Sequence, residues 1–335
     1  MRIAVDAMGS ERAPKVEVEG AIAACKEYNL DIVLVGDKEK IEKELSRYKP
    51  YPSRISIEHA SEVVEMGESP SAAVRKKKDS SLSVGVKLVK DKSADAFVSA
   101  GNTGAVVTAS SLFLRLLDKV DKPGIMITCP TLKQPTVLID AGANINPTPK
   151  DLLLYGVMGN VYLSEIHNRK NAKVGLLNVG EEETKGTELL KTAHKLLEQA
   201  NINFIGNIEG KDIFTGDVDV IVCDGFIGNV VLKVAESVGF TLAELLKQEF
   251  KSSVMTKIAA LMLLPSLRHF KKRIDYAEYG GAPLLGIDGI AIIAHGRSSA
   301  RAMKNAIRVA GEFVSHQINE HIIDAIKDLK MDTVQ

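Results

Sequence analysis

Val218-Asp219-Val220-Ile221-Val222-Cys223 runs directly into Asp224-Gly225-Phe226-Ile227-Gly228-Asn229, and a long helical pattern follows. The first half is short, apolar and β-branched. A run without polar alternation is a strand buried on both faces, and a helix straight after it implies parallel pairing. Working outward, the unit recurs. Ile3-Ala4-Val5 leads into Asp6-Ala7-Met8-Gly9 and a helix near 16–28, and a strand at 32–35 ends at Gly36-Asp37. Residues 94–100 lead into Gly101-Asn102-Thr103-Gly104 and a helix through Leu117. Residues 136–139 lead into Asp140-Ala141-Gly142-Ala143-Asn144, and 173–177 into Asn178-Val179-Gly180-Glu181-Glu182-Glu183. Residues 290–294 lead into His295-Gly296-Arg297-Ser298-Ser299 and a helix from about Ala300. Strands alternating with helices predict an α/β fold, a three-layer α/β/α arrangement around a mostly parallel sheet. No fixed period points to a solenoid, and no Pro/Gly/Ser linker divides the chain. Residues 1–335 therefore read as one unit, with 239–276 as a helical, apolar and basic excursion within it.

Ligands on open parallel sheets bind beyond the carboxyl ends of the strands. All the Gly-rich loops are expected at that one edge. Loops that open into helices present free N–H groups and a positive dipole end, which suits an anion such as phosphate.

Each loop has a chemical and a structural reading. In Gly101-Asn102-Thr103-Gly104 the glycines admit a ligand close to the backbone, while Asn102 and Thr103 serve equally as helix caps. In 224–229, Asp224 and Asn229 suit substrate positioning, or the segment is a tight turn with Asn229 as the helix cap; the dinucleotide fingerprint spacing is missing. In 178–186, glutamates near a helix start are stabilised by its dipole, but Lys185 is not, which points to a ligand. The triphosphate-binding Walker pattern is absent. In 295–299, Arg297 suits a phosphate clamp, Ser298 or Ser299 a hydroxyl contact or a cap, and His295 a base or a hydrogen-bonded structural residue. Residues 279–289 are too rich in glycine for an element interior and read as a shaped loop, over the site or a plain connector. There is no G-x-S-x-G elbow, no H-E-x-x-H and no metal-ligand spacing. Cys25 and Cys223 read as packed, and Cys129 precedes Pro130. An enzyme built this way takes its nucleophile from a substrate.

Composition narrows the classes. Of 335 residues, 45% are hydrophobic and 26% charged, and 43 Lys plus Arg balance 43 Asp plus Glu. That is too apolar for a disordered tail, and its neutrality argues against nucleic-acid binding. Three cysteines without paired spacing suit a reducing compartment. No secretory signal and no apolar run of the ~18 residues a spanning helix needs are apparent, so a cytoplasmic protein is expected.

Seven motifs in order resemble the bacterial phosphate acyltransferase family, the acyl-carrier-protein:phosphate acyltransferases of phospholipid synthesis. They are Asp6-Ala7-Met8-Gly9, Ser99-Ala100-Gly101-Asn102-Thr103-Gly104-Ala105, Asp140-Ala141-Gly142-Ala143-Asn144, the 178–186 and 224–233 segments, Gly280-Gly281-Ala282-Pro283-Leu284-Leu285-Gly286, and His295-Gly296. Two places depart from the family pattern: Ser10-Glu11 stands for Gly-Asp, and His295-Gly296-Arg297-Ser298-Ser299 for His-Gly-Ser-Ser-Asn. The resemblance implies an isocitrate/isopropylmalate dehydrogenase-like fold. It also implies acyl transfer from acyl carrier protein to inorganic phosphate, with no cofactor and no metal. On that basis Lys185, Asn229, Asp224 and His295 are the expected catalytic residues. Gly101, Asn102, Thr103, Gly104, Asn144, Arg297 and Ser298 are expected to hold phosphate or substrate. A homodimer, peripheral attachment to the inner face of the membrane, and a membrane acyl-phosphate:glycerol-3-phosphate acyltransferase as recipient are the expected partners. Two alternatives remain open: a phosphate acetyl- or butyryltransferase using coenzyme A, and a non-catalytic membrane scaffold.

Residues 250–273 stand apart. Ile258, Leu261, Met262, Leu263 and Leu264 lie in an apolar stretch flanked by Lys and Arg. This reads either as a core or dimer-interface helix or as an interfacial membrane anchor. Carrier proteins of this class are acidic, so Lys76, Lys77, Arg268, Lys271 and Lys272 are candidate docking residues, with a solvated charged face as the other reading for the first two.

Overall fold

The computed structural model describes residues 1–267, 270, 280–327 and 329. Its strands are β1 (Arg2–Asp6), β2 (Asp31–Gly36), β3 (Ile55–His59), β4 (Ala96–Ser99), β5 (Gly124–Cys129), β6 (Thr136–Ile139), β7 (Lys173–Leu177), β8 (Asn203–Ile208), β9 (Val220–Val222), β10 (Ala282–Leu285) and β11 (Ala291–Ile293). The helices are α1 (Lys15–Tyr28), α2 (Lys38–Leu45), α3 (Pro70–Lys76), α4 (Ser81–Lys90), α5 (Thr103–Phe113), α6 (Pro149–His167), α7 (Glu188–Gln199), α8 (Gly225–Lys251), α9 (Val254–Met262), α10 (Ala300–Ser315) and α11 (Ile318–Lys327). Helix starts follow the side chains available. Asn102, Thr148, Thr187, Asp224 and Ser299 each accept a backbone N–H three residues on, and Thr148 with Asp151 completes a capping box.

The expected α/β architecture is present. One sheet runs in the order β3-β2-β1-β4-β11-β10-β5-β6-β9-β7-β8. Alternate strand residues feed two separate cores, as the two-residue strand period requires. Ile3, Val5, Val137, Ile139, Val220 and Val222 pack with α1, α6, α7, α10 and α11. Ala4, Phe97, Leu138 and Ile221 pack on the other face with α3, α4 and α5. The continuous apolar runs are thus strands covered on both faces.

Two expectations change. The segment 279–289, read as a loop, contains strand β10, antiparallel to both β11 and β5. Gly280 and Gly286, at φ 92° and 88°, bend the chain at its two ends; Tyr279 lies outside the described residues. Strand β5 is in turn antiparallel to β6. This reverses the sheet, so β6, β9, β7 and β8 run opposite to β3, β2, β1, β4 and β11. The Gly-rich loops therefore leave from opposite edges: those after β1, β4 and β11 from one, those after β6, β7 and β9 from the other.

A third difference concerns α8. This helix of 27 residues has a window of mean hydropathy 1.4, long and apolar enough to cross a membrane by length and composition. Its buried residues are Gly225 and Gly228 alone, so most of it projects from the sheet, with α9 packed against it.

At the β1 edge two carboxylates are buried. Asp6 accepts hydrogen bonds from Ser99 Oγ (2.7 Å) and Met8 N (3.1 Å). Glu17, in the first turn of α1, accepts from Ser10 N (3.1 Å), and its Oε2 has no partner. Burial pushes the Glu17 carboxyl up to about 7, with the Asp6 charge adding to the rise. A raised carboxyl favours the fold below its unfolded value near 4.5, and this contribution is lost as pH climbs to about 7. Urea melts between pH 5 and 8 should show wild-type stability falling with pH more steeply than that of Glu17→Gln. The variant should lead above pH 7.5 by up to roughly 3 kcal/mol. Equal slopes would contradict the burial of a shifted carboxyl.

Close approach sets a second test. A Cβ built on Gly228 would sit 1.9 Å from the Asp140 carbonyl oxygen, whereas one on Gly210 meets open space. Gly228→Ala should cost about 1–3 kcal/mol or more in denaturant titrations. Gly210→Ala should stay within about 0.5 kcal/mol of wild type.

Candidate functional site

The loops after β6, β9 and β7 come from three adjacent parallel strands and meet around α8. Asp140 anchors the first. Fully buried, it accepts from the N–H groups of Ile125 (2.9 Å), Gly142 (3.0 Å), Ala143 (2.9 Å) and Asn144 (2.6 Å). Burial raises this carboxyl above the usual range, and the amides oppose the rise. Asn144 donates to Tyr155 Oη (3.1 Å), and its carbonyl accepts Gly225 N (2.9 Å). Lys122 Nζ donates to Asn146 O (2.7 Å) and lies 3.5 Å from Asn144 Oδ1. Asn144 thus fastens the loop to α6 and to the start of α8.

The cap of α8 is Asp224, its Oδ1 accepting Ile227 N at 2.8 Å, and not Asn229, which lies inside the helix because it already begins at Gly225. Asn229 is exposed beside Gly142 and makes no side-chain hydrogen bond among the described residues. Lys185 precedes the Thr187 cap of α7 by two residues, in the loop rather than in the helix. That loop is held from below: Asn178 Nδ2 donates to Lys185 O (3.2 Å) and Asn207 Nδ2 to Glu182 O (2.9 Å), and Asn207 is in turn held by His194 (3.0 Å). Glu181 pairs with Lys211 at 2.9 Å, whereas the exposed Lys185 has no carboxylate within 4 Å among the described residues. An uncompensated cation in the loop after β7 and an unengaged amide near the start of α8 thus stand after two adjacent strands, available to an anionic ligand.

Between these loops lies a cavity of about 480 Å³, lined by Ile145, Asn146, Pro147, Leu189, Asp224, Phe226 and Ile227. Sequence reading passed over Ile145, Leu189, Phe226 and Ile227. The available signal was a pair of large apolar residues, Phe226-Ile227, set between the glycines of a turn.

The other expected residues form a second network at the opposite edge. Gly101 N donates to Ser99 Oγ (3.0 Å), which donates to Asp6. Asn102 caps α5 and also donates to Met66 O (3.0 Å) and Glu68 O (3.1 Å), so its side chain is spent on structure. Thr103 opens α5, and Gly104 packs on Pro70. His295 Nδ1 accepts Arg297 N (3.1 Å), and Ser298 is buried, its carbonyl accepting from Arg12 (2.8 Å). Arg297 pairs with Glu11 at 3.1 Å.

Lys77 bonds Glu68 (2.6 Å) and Val63 O (2.7 Å), while Lys76 is exposed. Arg268, Lys271 and Lys272 lie outside the described residues. Ile258, Leu261, Met262, Leu263 and Leu264 are all exposed, Leu261 by 70% and Met262 by 79%. Among the described residues no three His, Cys, Asp or Glu side chains are gathered as a metal requires. Burial pushes the Cys129 thiol up to about 12, which leaves it protonated and unreactive.

The family model for fatty acid synthesis proteins matches residues 1–321. The phosphate acyltransferase of Syntrophotalea carbinolica is 50% identical over 321 residues, 96% of this chain and 92% of the relative. That of Geotalea daltonii is 46% identical over 328 residues, 98% and 95%. Among solved structures, a phosphotransacetylase from Streptococcus pyogenes superposes with TM-score 0.62 at 15% identity, covering 96% of this chain and 94% of the other. A 4-hydroxythreonine-4-phosphate dehydrogenase from Klebsiella pneumoniae gives 0.54 at 12%, covering 93% and 99%. At such identities these two show the shared fold alone. Matched along nearly all of its length by relatives of one activity, the chain belongs to the fatty acid synthesis family of phosphate acyltransferases, and it is an acyltransferase.

Proposed function

We propose that the enzyme moves a fatty acyl group from an acyl-[acyl-carrier protein] thioester to inorganic phosphate. The observation that carries this reading is the unpaired Lys185 in the loop after β7 and the unengaged Asn229 near the start of α8, the helix whose first turn lines a largely apolar cavity. A phosphate oxygen attacks the thioester carbonyl, a C–O bond forms, the C–S bond breaks, and the carrier leaves as its thiol after taking a proton. The protein needs no nucleophile of its own. Its work is to hold phosphate against the carbonyl, worth up to ~7–11 kcal/mol as proximity. It also stabilises the oxyanion, at ~2.7–4 kcal/mol per well-placed donor. Lys185 meets the negative charge, Asn229 donates to the phosphate or oxyanion, and Asp224 orients the helix start. The network of Gly101, Arg297, Ser298 and His295 shapes the opposite edge.

The exposed apolar surface of α8 and α9 supports two further parts of the proposal. A second copy covers part of α8, making a homodimer, and Ile258, Leu261, Met262, Leu263 and Leu264 enter the acyl region on the inner face of the cell membrane. Each buried methylene contributes about 0.8 kcal/mol, and two copies per dimer strengthen a weak attachment. Lys76, with Arg268, Lys271 and Lys272, offers charge to an acidic carrier. The acyl phosphate, a reactive anhydride, passes to a membrane glycerol-3-phosphate acyltransferase.

Labelled phosphate with acyl-carrier protein or acyl-coenzyme A as donor tests the reaction. The carrier-linked donor should be preferred, and Lys185→Ala or Asn229→Ala should each lower acyl phosphate formation by ~10²–10³. Near-normal rates in folded variants would refute these assignments, and preference for coenzyme A would favour the acetyl- or butyryltransferase reading. In liposome flotation, Leu261→Glu with Leu263→Glu should abolish binding to anionic vesicles; unchanged binding would sink the anchor.

A further inference from the structure

We infer that the cavity between the β6, β9 and β7 loops receives the acyl chain of the substrate, and that Phe226, Ile145 and Leu189 set the chain length accepted. The inference rests on the proposed acyl transfer and deepens it. Five of the seven lining residues are apolar, and Asn146 and Asp224 are the polar ones. Phe226, in the first turn of α8, is 61% exposed, and Ile145, in the loop after β6, 63%. Exposed apolar side chains around an open depression of this volume offer contact to an apolar ligand.

Placement along α8 identifies that ligand. Phe226 and Asn229 are three residues apart in one helix and so share a face, about 5–6 Å apart at their Cβ atoms. A carbonyl held at Asn229 thus has its alkyl chain beginning within reach of Phe226 and the cavity. Leu189, in the first turn of α7, closes the far wall four residues after Lys185. The polar end of the substrate and its apolar tail are met by the same two helix starts. A second copy of the chain, the competing occupant, would cover the exposed length of α8 without needing a concavity beside the capping Asp224.

Steady-state rates with butyryl, octanoyl and palmitoyl donors on one carrier test this, read as the ratio of kcat/KM for palmitoyl over butyryl. Ile145→Trp, which fills the cavity, should lower that ratio at least tenfold. Phe226→Ala, which removes the wall nearest Asn229, should lower it severalfold. An unchanged ratio in variants of wild-type circular dichroism would overturn the inference. So would an equal loss for every donor accompanied by a changed sedimentation coefficient, which would make the cavity a subunit contact. Wild-type protein that forms no acyl phosphate from any donor would instead refute the transfer reaction. Binding of a fluorescent palmitate analogue then decides the cavity separately: Ile145→Trp should weaken it at least tenfold, and unaltered binding would overturn the assignment.

Discussion

Two strands that run against their neighbours, β10 and β5, make one body out of two parallel half-sheets. Without them the β1 half and the β6 half would each end in a row of unpaired N–H and C=O groups, which a buried sheet cannot tolerate. Their cost is a reversal of strand sense. It sends the polar loops of the two halves to opposite edges and so divides the loops into two networks. Each network is built round a buried carboxylate: Asp6 with Ser99 in one, Asp140 with four backbone amides in the other.

The Asp140 cluster gives the clearer physical case. A carboxylate taken out of water loses several kcal/mol of solvation unless hydrogen bonds replace it. Four main-chain donors do so here, and in accepting them Asp140 fixes the loop through Asn144. That loop then receives Gly225 N on the Asn144 carbonyl, and Gly228 lies against the Asp140 carbonyl. The orientation in which α8 leaves the sheet is therefore set by a buried carboxyl group. Lys185 and Asn229 contrast with it: each is exposed, and each stands on a backbone held firmly by other residues. Rigid support beneath uncommitted polar groups is the arrangement a binding site needs.

The projecting α8 and α9 follow a different rule. The apolar residues of the central strands are covered by their own chain, but α8 carries Val230, Val234, Val238, Phe240 and Leu242 into the open. Apolar surface on this scale signals contact with something beyond the chain.

The sequence by itself determined the seven strands followed by a Gly-rich loop, because a doubly covered strand must be apolar throughout. It also determined the caps at Asn102 and Ser299, because a helix start needs an oxygen at a set distance along the chain, whereas the helix after β9 is capped by Asp224 rather than by Asn229. Strands β3 and β8 escaped notice as the sheet's two edges, where the exposed Ser56 and Glu58 and the half-covered Asn203 and Gly206 blur the apolar run. Strand β5 is apolar but turns straight into β6 with no helix after it, and β10 is disguised by Pro283 and its flanking glycines. Only the tertiary structure decided the reversal at β10 and β5, since pairing sense depends on partners distant in the chain. With that reversal came the separation of Lys185 and Asn229 from Arg297 and His295, and the cavity walled by Ile145, Leu189 and Phe226. Its three sides come from loops more than thirty residues apart, and no local pattern records that they meet.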